Sequence, residues 1–144
     1  MQPKIQKLLY SFFGKYKLRT FAKGEIIIKP GMRKTFFLTK GVAAMSGSLK
    51  NIDHLTLNIY KAHSIFPMGL ILGINADKYR YEGLTEVEGY FSPQKDFAAF
   101  LRKNPKILFD LLKRIYRGLD GFFMRMQALL TGDAYFRIVT SLII

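Results

Sequence analysis

Two histidines, ten carboxylates and no cysteine bound the chemistry open to this 144-residue chain. Without cysteine there is no disulfide and no thiolate site for iron–sulfur or zinc. His54 and His63 stand nine residues apart. They do not make the His-x-His set, with a downstream acid, that a metal site in a β-rich body needs. Glu82, Glu86 and Glu88 alternate as the wet face of a strand would, not as a paired acid and base in a cleft. No Ser/His/Asp or Cys/His set is present, and no Walker loop. The expectation is a chain with no catalytic residues, no metal and no cofactor, hence not an enzyme.

The remaining chemistry is binding. Net charge is +13, and residues 1–40 carry ten Lys or Arg against one acid, Glu25. Such a segment either meets nucleic acid or another polyanion, or is a solvated basic face. No run of 18 apolar residues appears, and the N-terminus lacks a signal-peptide core. A cytoplasmic protein without membrane contact is expected.

The elements that must position these groups are legible in part. Leu108, Leu112, Ile115, Leu119, Phe122, Met126 and Leu129 repeat at spacings of 4, 3, 4, 3, 4 and 3. That is an a/d heptad row, so these seven residues are the candidate dimer interface of one long helix over 104–131. Asn104 can cap it and Pro105 suits its first turn. Phe109, Tyr116, Phe123 and Leu130 form a second row, expected to seat the helix on the chain's own β-rich body. Gly118 and Gly121 are expected to permit a bend or a close approach.

Upstream, Ile5, Leu8, Leu9, Phe12 and Phe13 mark a short helix that ends at Gly14. Short strands are expected at 18–21, 25–28, 35–38 and 42–45, at a pair ending near Leu49 and covering 55–60, and at 79–84 and 86–91. Turn signals separate them: Lys23-Gly24, Pro30-Gly31, Lys40-Gly41 and Asn51-Ile52-Asp53. Ser92 with Pro93 reads as the cap and first position of a helix whose buried face is Phe97, Phe100 and Leu101. Asp133 can cap a last helix, with Phe136, Val139, Thr140 and Ile143 as its apolar face. That helix still runs at Ile144, which suggests a longer protein with a further domain.

The order of these elements resembles the cyclic-nucleotide-binding-like domain of Crp/Fnr transcription regulators. The residues that carry the resemblance are Phe21-Ala22-Lys23-Gly24-Glu25, Lys29-Pro30-Gly31, Phe36-Phe37-Leu38 and Lys40-Gly41-Val42. Phe66-Pro67-Met68, Leu84-Thr85-Glu86-Val87-Glu88, Asp96-Phe97 and Asn104-Pro105 continue it. Gly132-Asp133-Ala134-Tyr135 and Arg137 look like the family's hinge. The resemblance implies an α+β, mainly β fold: an antiparallel, jelly-roll-like β-roll with a short N-terminal helix and a long C-terminal dimerisation helix. It implies a sensor domain over 1–103, the dimerisation helix over 104–131, and over 132–144 a hinge and the first helix of a truncated DNA-binding domain. The partners implied are a second copy and, through a missing C-terminal winged helix-turn-helix, DNA.

In the family, a nucleotide-binding cassette reads Gly-Glu and later Arg-Ser or Arg-Thr. Here the matching positions read Ile65-Phe66-Pro67-Met68 and Asp77-Lys78, and the pair that would meet the base is Phe122-Phe123. A cyclic nucleotide is therefore not the expected effector. Haem would need an axial ligand, and both histidines are expected to face solvent. What is left is an unassigned pocket between roll and long helix. Its candidate lining is Phe66, Met68, Tyr79, Arg80, Tyr81, Arg114 and Phe123, for an unknown small molecule or for none. Residues 75–78 read as a loop that could cover it.

Overall fold

The computed structural model describes residues 1–74 and 78–143, so the covering loop expected at 75–78 falls largely outside the described residues. The chain divides into two compact units, Met1–Lys103 and Asn104–Ile144. The first holds α1 (Pro3–Phe13), β1 (Leu18–Phe21), β2 (Ile26–Ile28), β3 (Lys34–Lys40), β4 (Ala43–Leu49) and β5 (Ile52–Tyr60). It continues with β6 (Ile65–Phe66), the one-turn helix α2 (Met68–Ile71), β7 (Arg80–Gly83), β8 (Val87–Pro93) and α3 (Gln94–Lys103). The second unit is α4 (Pro105–Thr131) and α5 (Ala134–Ile143).

The strands make two four-stranded sheets, ordered β1-β8-β3-β6 and β2-β7-β4-β5. Every pairing is antiparallel. Every connection except the β4–β5 hairpin passes from one sheet to the other. That alternation closes the two sheets into a roll and buries their facing sides together. The core between them is Ile27, Ile28, Phe36, Leu38, Ala43, Phe66, Tyr81 and Val87.

A second apolar layer lies on the other side of the β1-β8-β3-β6 sheet. In β3 four successive residues, Thr35, Phe36, Phe37 and Leu38, are buried, where a strand wet on one face would alternate. Phe36 and Leu38 face the roll's interior, while Phe37 meets Tyr10 at 5.1 Å and Phe13 at 5.0 Å between ring centroids. Phe13 in turn meets Phe97 of α3 at 5.2 Å. Helix α1 buries Ile5, Leu9, Phe12 and Phe13. Leu8, expected in the same stripe, is exposed. Each Phe buried here contributes about 1.5–3 kcal/mol through area removed from water. Tyr16 ties the end of α1 to the start of α3 by donating to Asp96 Oδ2 at 3.1 Å.

Local chemistry accounts for the turns. Gly31 has φ of 87°, and Met32 N–H donates to the Lys29 carbonyl at 3.2 Å. This is the type II turn that Pro30-Gly31 predicts. Elsewhere pairing overrides local signals. Strand β5 begins at Ile52, so the hairpin turns at Lys50-Asn51 and not over residues 51–53. Ser92 and Pro93 do not open a helix: they pair with Thr35 and Lys34 as the end of β8, and α3 starts at Gln94.

Helix α4 runs unbroken through Gly118 and Gly121 to Thr131. Asn104 occupies its N-cap position without a side-chain capping bond, and Pro105 is its first residue. Within α5, Val139 is half-buried, and the side chains of Phe136, Thr140 and Ile143 lie outside those described. No helix among the described residues is long and apolar enough to cross a membrane.

Candidate functional site

The interior of the roll is where strands of both sheets converge, and aromatic rings occupy it. β6 brings in Phe66, opposite Phe36 of β3. β7 brings in Tyr81, opposite Met45 of β4. The Phe66 and Tyr81 rings stack at 4.8 Å with planes 5° apart. Tyr60 closes the group, 4.9 Å from Phe66 and 5.8 Å from Tyr81. Tyr79 and Met45 pack at its margin. Phe66, Tyr79 and Tyr81 of the candidate lining are therefore together, and two of them belong to the packed core.

Burial governs the electrostatics of this group. It is the largest cause that pushes the Tyr81 phenol well above its ordinary value of 10.0, followed by the charge of Tyr60, a hydrogen bond with Tyr60 and the charge of Tyr79. Burial likewise raises Tyr60. Both phenols stay neutral in the folded chain, whereas an unfolded chain releases their protons near pH 10. Their contribution to stability is complete below about pH 10 and is lost as pH rises toward the folded-state values. Thermal melts between about pH 8 and pH 11.5 should fall steeply at the alkaline end, and less steeply for Tyr81→Phe. A fall of equal steepness in the variant would contradict this account.

Arg80 does not join the rings. Successive strand residues point to opposite faces, and the Arg80 guanidinium contacts the His54 imidazole on the other side of the sheet. Glu82 Oε1 lies 3.9 Å from His54 Nε2 in the same cluster. Met68 opens α2 and is half-buried. Arg114 and Phe123 belong to the second unit. Arg114 Nε forms an ion pair with Asp110 Oδ2, 3.0 Å away and one helical turn back, and Phe123 is exposed, 6.0 Å from the Phe122 ring. Among the described residues, then, two of the four outlying members have polar partners of their own.

His63 differs from expectation. It is half-buried, with a φ of 70°, its Nε2 3.0 Å from Gln6 Nε2 of α1, and its ring beside Tyr10 and Phe37. The polar turn read from sequence is covered by a helix distant in sequence. Only His54 is exposed. No group of three His, Asp or Glu that could hold a metal occurs among the described residues.

The first of the two cassette positions is equally apolar, and Asp77 of the second lies outside the described residues. Ile65, Phe66 and Pro67 are buried, and the Phe66–Pro67 peptide is cis. They supply no carboxylate to a ribose.

On α4 the heptad row is open. Leu112, Ile115, Leu119, Phe122, Met126 and Leu129 are 38–49% exposed, and Leu108 is half-buried. The second row, expected to be the seated one, is more exposed still: Phe109, Tyr116, Phe123 and Leu130 lie between 58% and 78%. The buried apolar residues of α4 are instead Ile107, Leu111 and Ala128. Ile107 and Leu111 are one turn apart, and neither belongs to the two rows. A feature the candidate residues omit is the cationic surface of α1 and α3; the charge excess of residues 1–40 signalled the α1 part alone.

Several solved structures share this architecture. The catabolite activator protein of Thermus thermophilus matches with a TM-score of 0.69 at 16% identity, over 90% of this chain and 60% of that one. A CooA variant from Carboxydothermus hydrogenoformans matches at 0.72 and 15% identity, over 92% of this chain and 58% of that one. A transcriptional regulator from Thermotoga maritima matches at 0.67 and 19% identity, over 85% of this chain and 97% of that one. The chain thus spans about 60% of the length of the first two. No family model matches the sequence, and no curated protein does. The Thermotoga maritima neighbour is a transcriptional regulator. The fold of the chain is the one the resemblance implied, the β-roll and long helix of the Crp/Fnr sensor domain.

Proposed function

We propose that the chain is the effector-sensing and dimerisation part of a Crp/Fnr-like transcription regulator of the bacterial cytoplasm. It pairs with a second copy along α4, and the intact protein reaches DNA through a C-terminal winged helix. The observation that carries this reading is the row from Leu112 to Leu129, apolar at heptad spacing and left open in the single chain. Six large apolar side chains in line are far more than a helix in water retains without a partner. The likeness to transcription regulators supports the same reading.

The signal is not a cyclic nucleotide. Buried Ile65, Phe66 and Pro67 stand where a ribose-binding carboxylate would be needed. The packed rings of Tyr60, Phe66 and Tyr81 favour a second reading, a dimerisation module with no small-molecule effector. Cyclic AMP and cyclic GMP at millimolar concentration should leave the melting temperature unchanged, since a ligand of the folded state raises it with concentration. A graded rise with either nucleotide would replace this reading with a divergent nucleotide receptor.

Sedimentation should give twice the 16.6 kDa chain mass at micromolar concentration. Leu119→Asp with Phe122→Asp should return it to the chain mass, with the circular dichroism of the first unit retained. A wild-type chain that stays monomeric at about 100 μM would remove dimerisation along α4 from the proposal, because that limits any association to about 5.5 kcal/mol or less.

A further inference from the structure

We infer that the helical layer of the first unit, α1 with α3, is a docking face for the phosphate backbone of double-stranded nucleic acid. The two helices lie side by side over the β1-β8-β3-β6 sheet. Phe12 stacks on Phe100 at 4.4 Å and meets Phe97 at 5.6 Å, and Phe13 meets Phe97. With those faces turned inward, what points outward is charge. Lys4, Lys7 and Lys15 are exposed on and just beyond α1, and Lys95, Arg102 and Lys103 on α3. The single acid on the two helices is Asp96, and Tyr16 already donates to it. Six cations therefore share one layer, and none of them is paired with an acid among the described residues.

The occupant follows from what accompanies the charge. A membrane surface would ask the layer for exposed apolar residues to insert. Here Ile5, Leu9, Phe12, Phe13, Phe97 and Leu101 are all buried, which leaves Leu8 as the one partly exposed large aliphatic side chain of α1. A protein partner would need apolar anchors of the same kind. A regular row of phosphates needs cations alone. The 11 residues of α1 extend roughly 16 Å at ~1.5 Å per residue, about five base-pair steps at ~3.4 Å. The layer reads no sequence, because no recognition element accompanies it. It would add affinity and grip flanking duplex, whatever module selects the site.

The test uses the chain as it stands, a fluorescent 20-base-pair duplex of arbitrary sequence, and vesicles rich in phosphatidylserine. With up to six phosphate contacts, affinity should fall by as much as about three orders of magnitude between ~50 and ~200 mM salt. Replacing Lys4, Lys7 and Arg102 by Gln should lower the slope of that dependence by about 3. Replacing three exposed turn lysines, Lys23, Lys29 and Lys50, by Gln changes the net charge equally and should leave the slope almost unaltered. All six side chains are exposed, and circular dichroism checks that both variants fold. Equal losses from the two triples would overturn the proposal in favour of diffuse net charge. Absence of duplex binding at ~50 mM salt, or binding to the vesicles alone, would overturn it as well.

Discussion

Phe66→Ala should destabilise the first unit by about 3–5 kcal/mol, the usual range for truncating a fully buried ring. The ring is completely inaccessible to solvent and stacks on Tyr81 at 4.8 Å, with Tyr60 at 4.9 Å and Phe36 at 5.5 Å. β6 has only two residues, so side-chain packing more than ladder hydrogen bonding holds this segment. For a domain of roughly 100 residues each kcal/mol shifts the melting temperature by ~4–8 °C, so a drop of at least about 12 °C is expected. Urea denaturation followed by circular dichroism measures the same loss. The result also bears on sensing. If the rings fill the interior, the variant opens a dry cavity, and millimolar phenol should partly restore its melting temperature while leaving the wild type unchanged. A loss below about 1 kcal/mol would mean that the wild-type interior is loosely packed, with ligand space already present.

How much of this was legible in the sequence depends on whether the deciding contacts are local. β1 and β3 stood out because turn residues bracket them and their periodicity is short. β6 and α2, with two and four residues, are too short to display any period. Ser92-Pro93 has the local chemistry of a helix start, yet its pairing with Thr35 and Lys34 extends β8 instead. Pro93 is tolerated there because it ends the strand. His63 looked wet because nothing near it in sequence announces that α1 folds over it. The Arg80 placement was readable: alternation alone separates it from Tyr79 and Tyr81. On α4 the heptad row was plain, but the burial of Ile107 and Leu111 depends on packing that one helix's pattern does not encode.

Gly89→Ala should be as damaging as the loss of a core ring, although it adds only a methyl group. Gly89 lies in β8, the strand between β1 and β3, opposite Arg19 on one side and Leu38 on the other. A Cβ at this position would fall well inside van der Waals contact with the Phe37 carbonyl oxygen and with the Phe36 ring. The ring has little room to retreat, since it is enclosed by Phe21, Phe66 and Phe91. The carbonyl belongs to the neighbouring strand and moves only if β3 and β8 separate. Overpacking a core costs about 1–3 kcal/mol when side chains can adjust. Here backbone must yield, so a loss of about 3 kcal/mol or more is expected. Shrinking the ring tests which contact dominates. Phe36→Leu added to Gly89→Ala should give no rescue, because the carbonyl clash remains; recovery in the double variant would assign the strain to the ring. Gly118→Ala supplies the opposite sign. Gly118 is on α4 with nothing within 4 Å of an added Cβ. The same methyl group should there stabilise the second unit by about 1 kcal/mol through helix preference alone. A wild-type melting temperature for Gly89→Ala would mean that β3 and β8 are not in the register that brings Gly89 opposite Leu38.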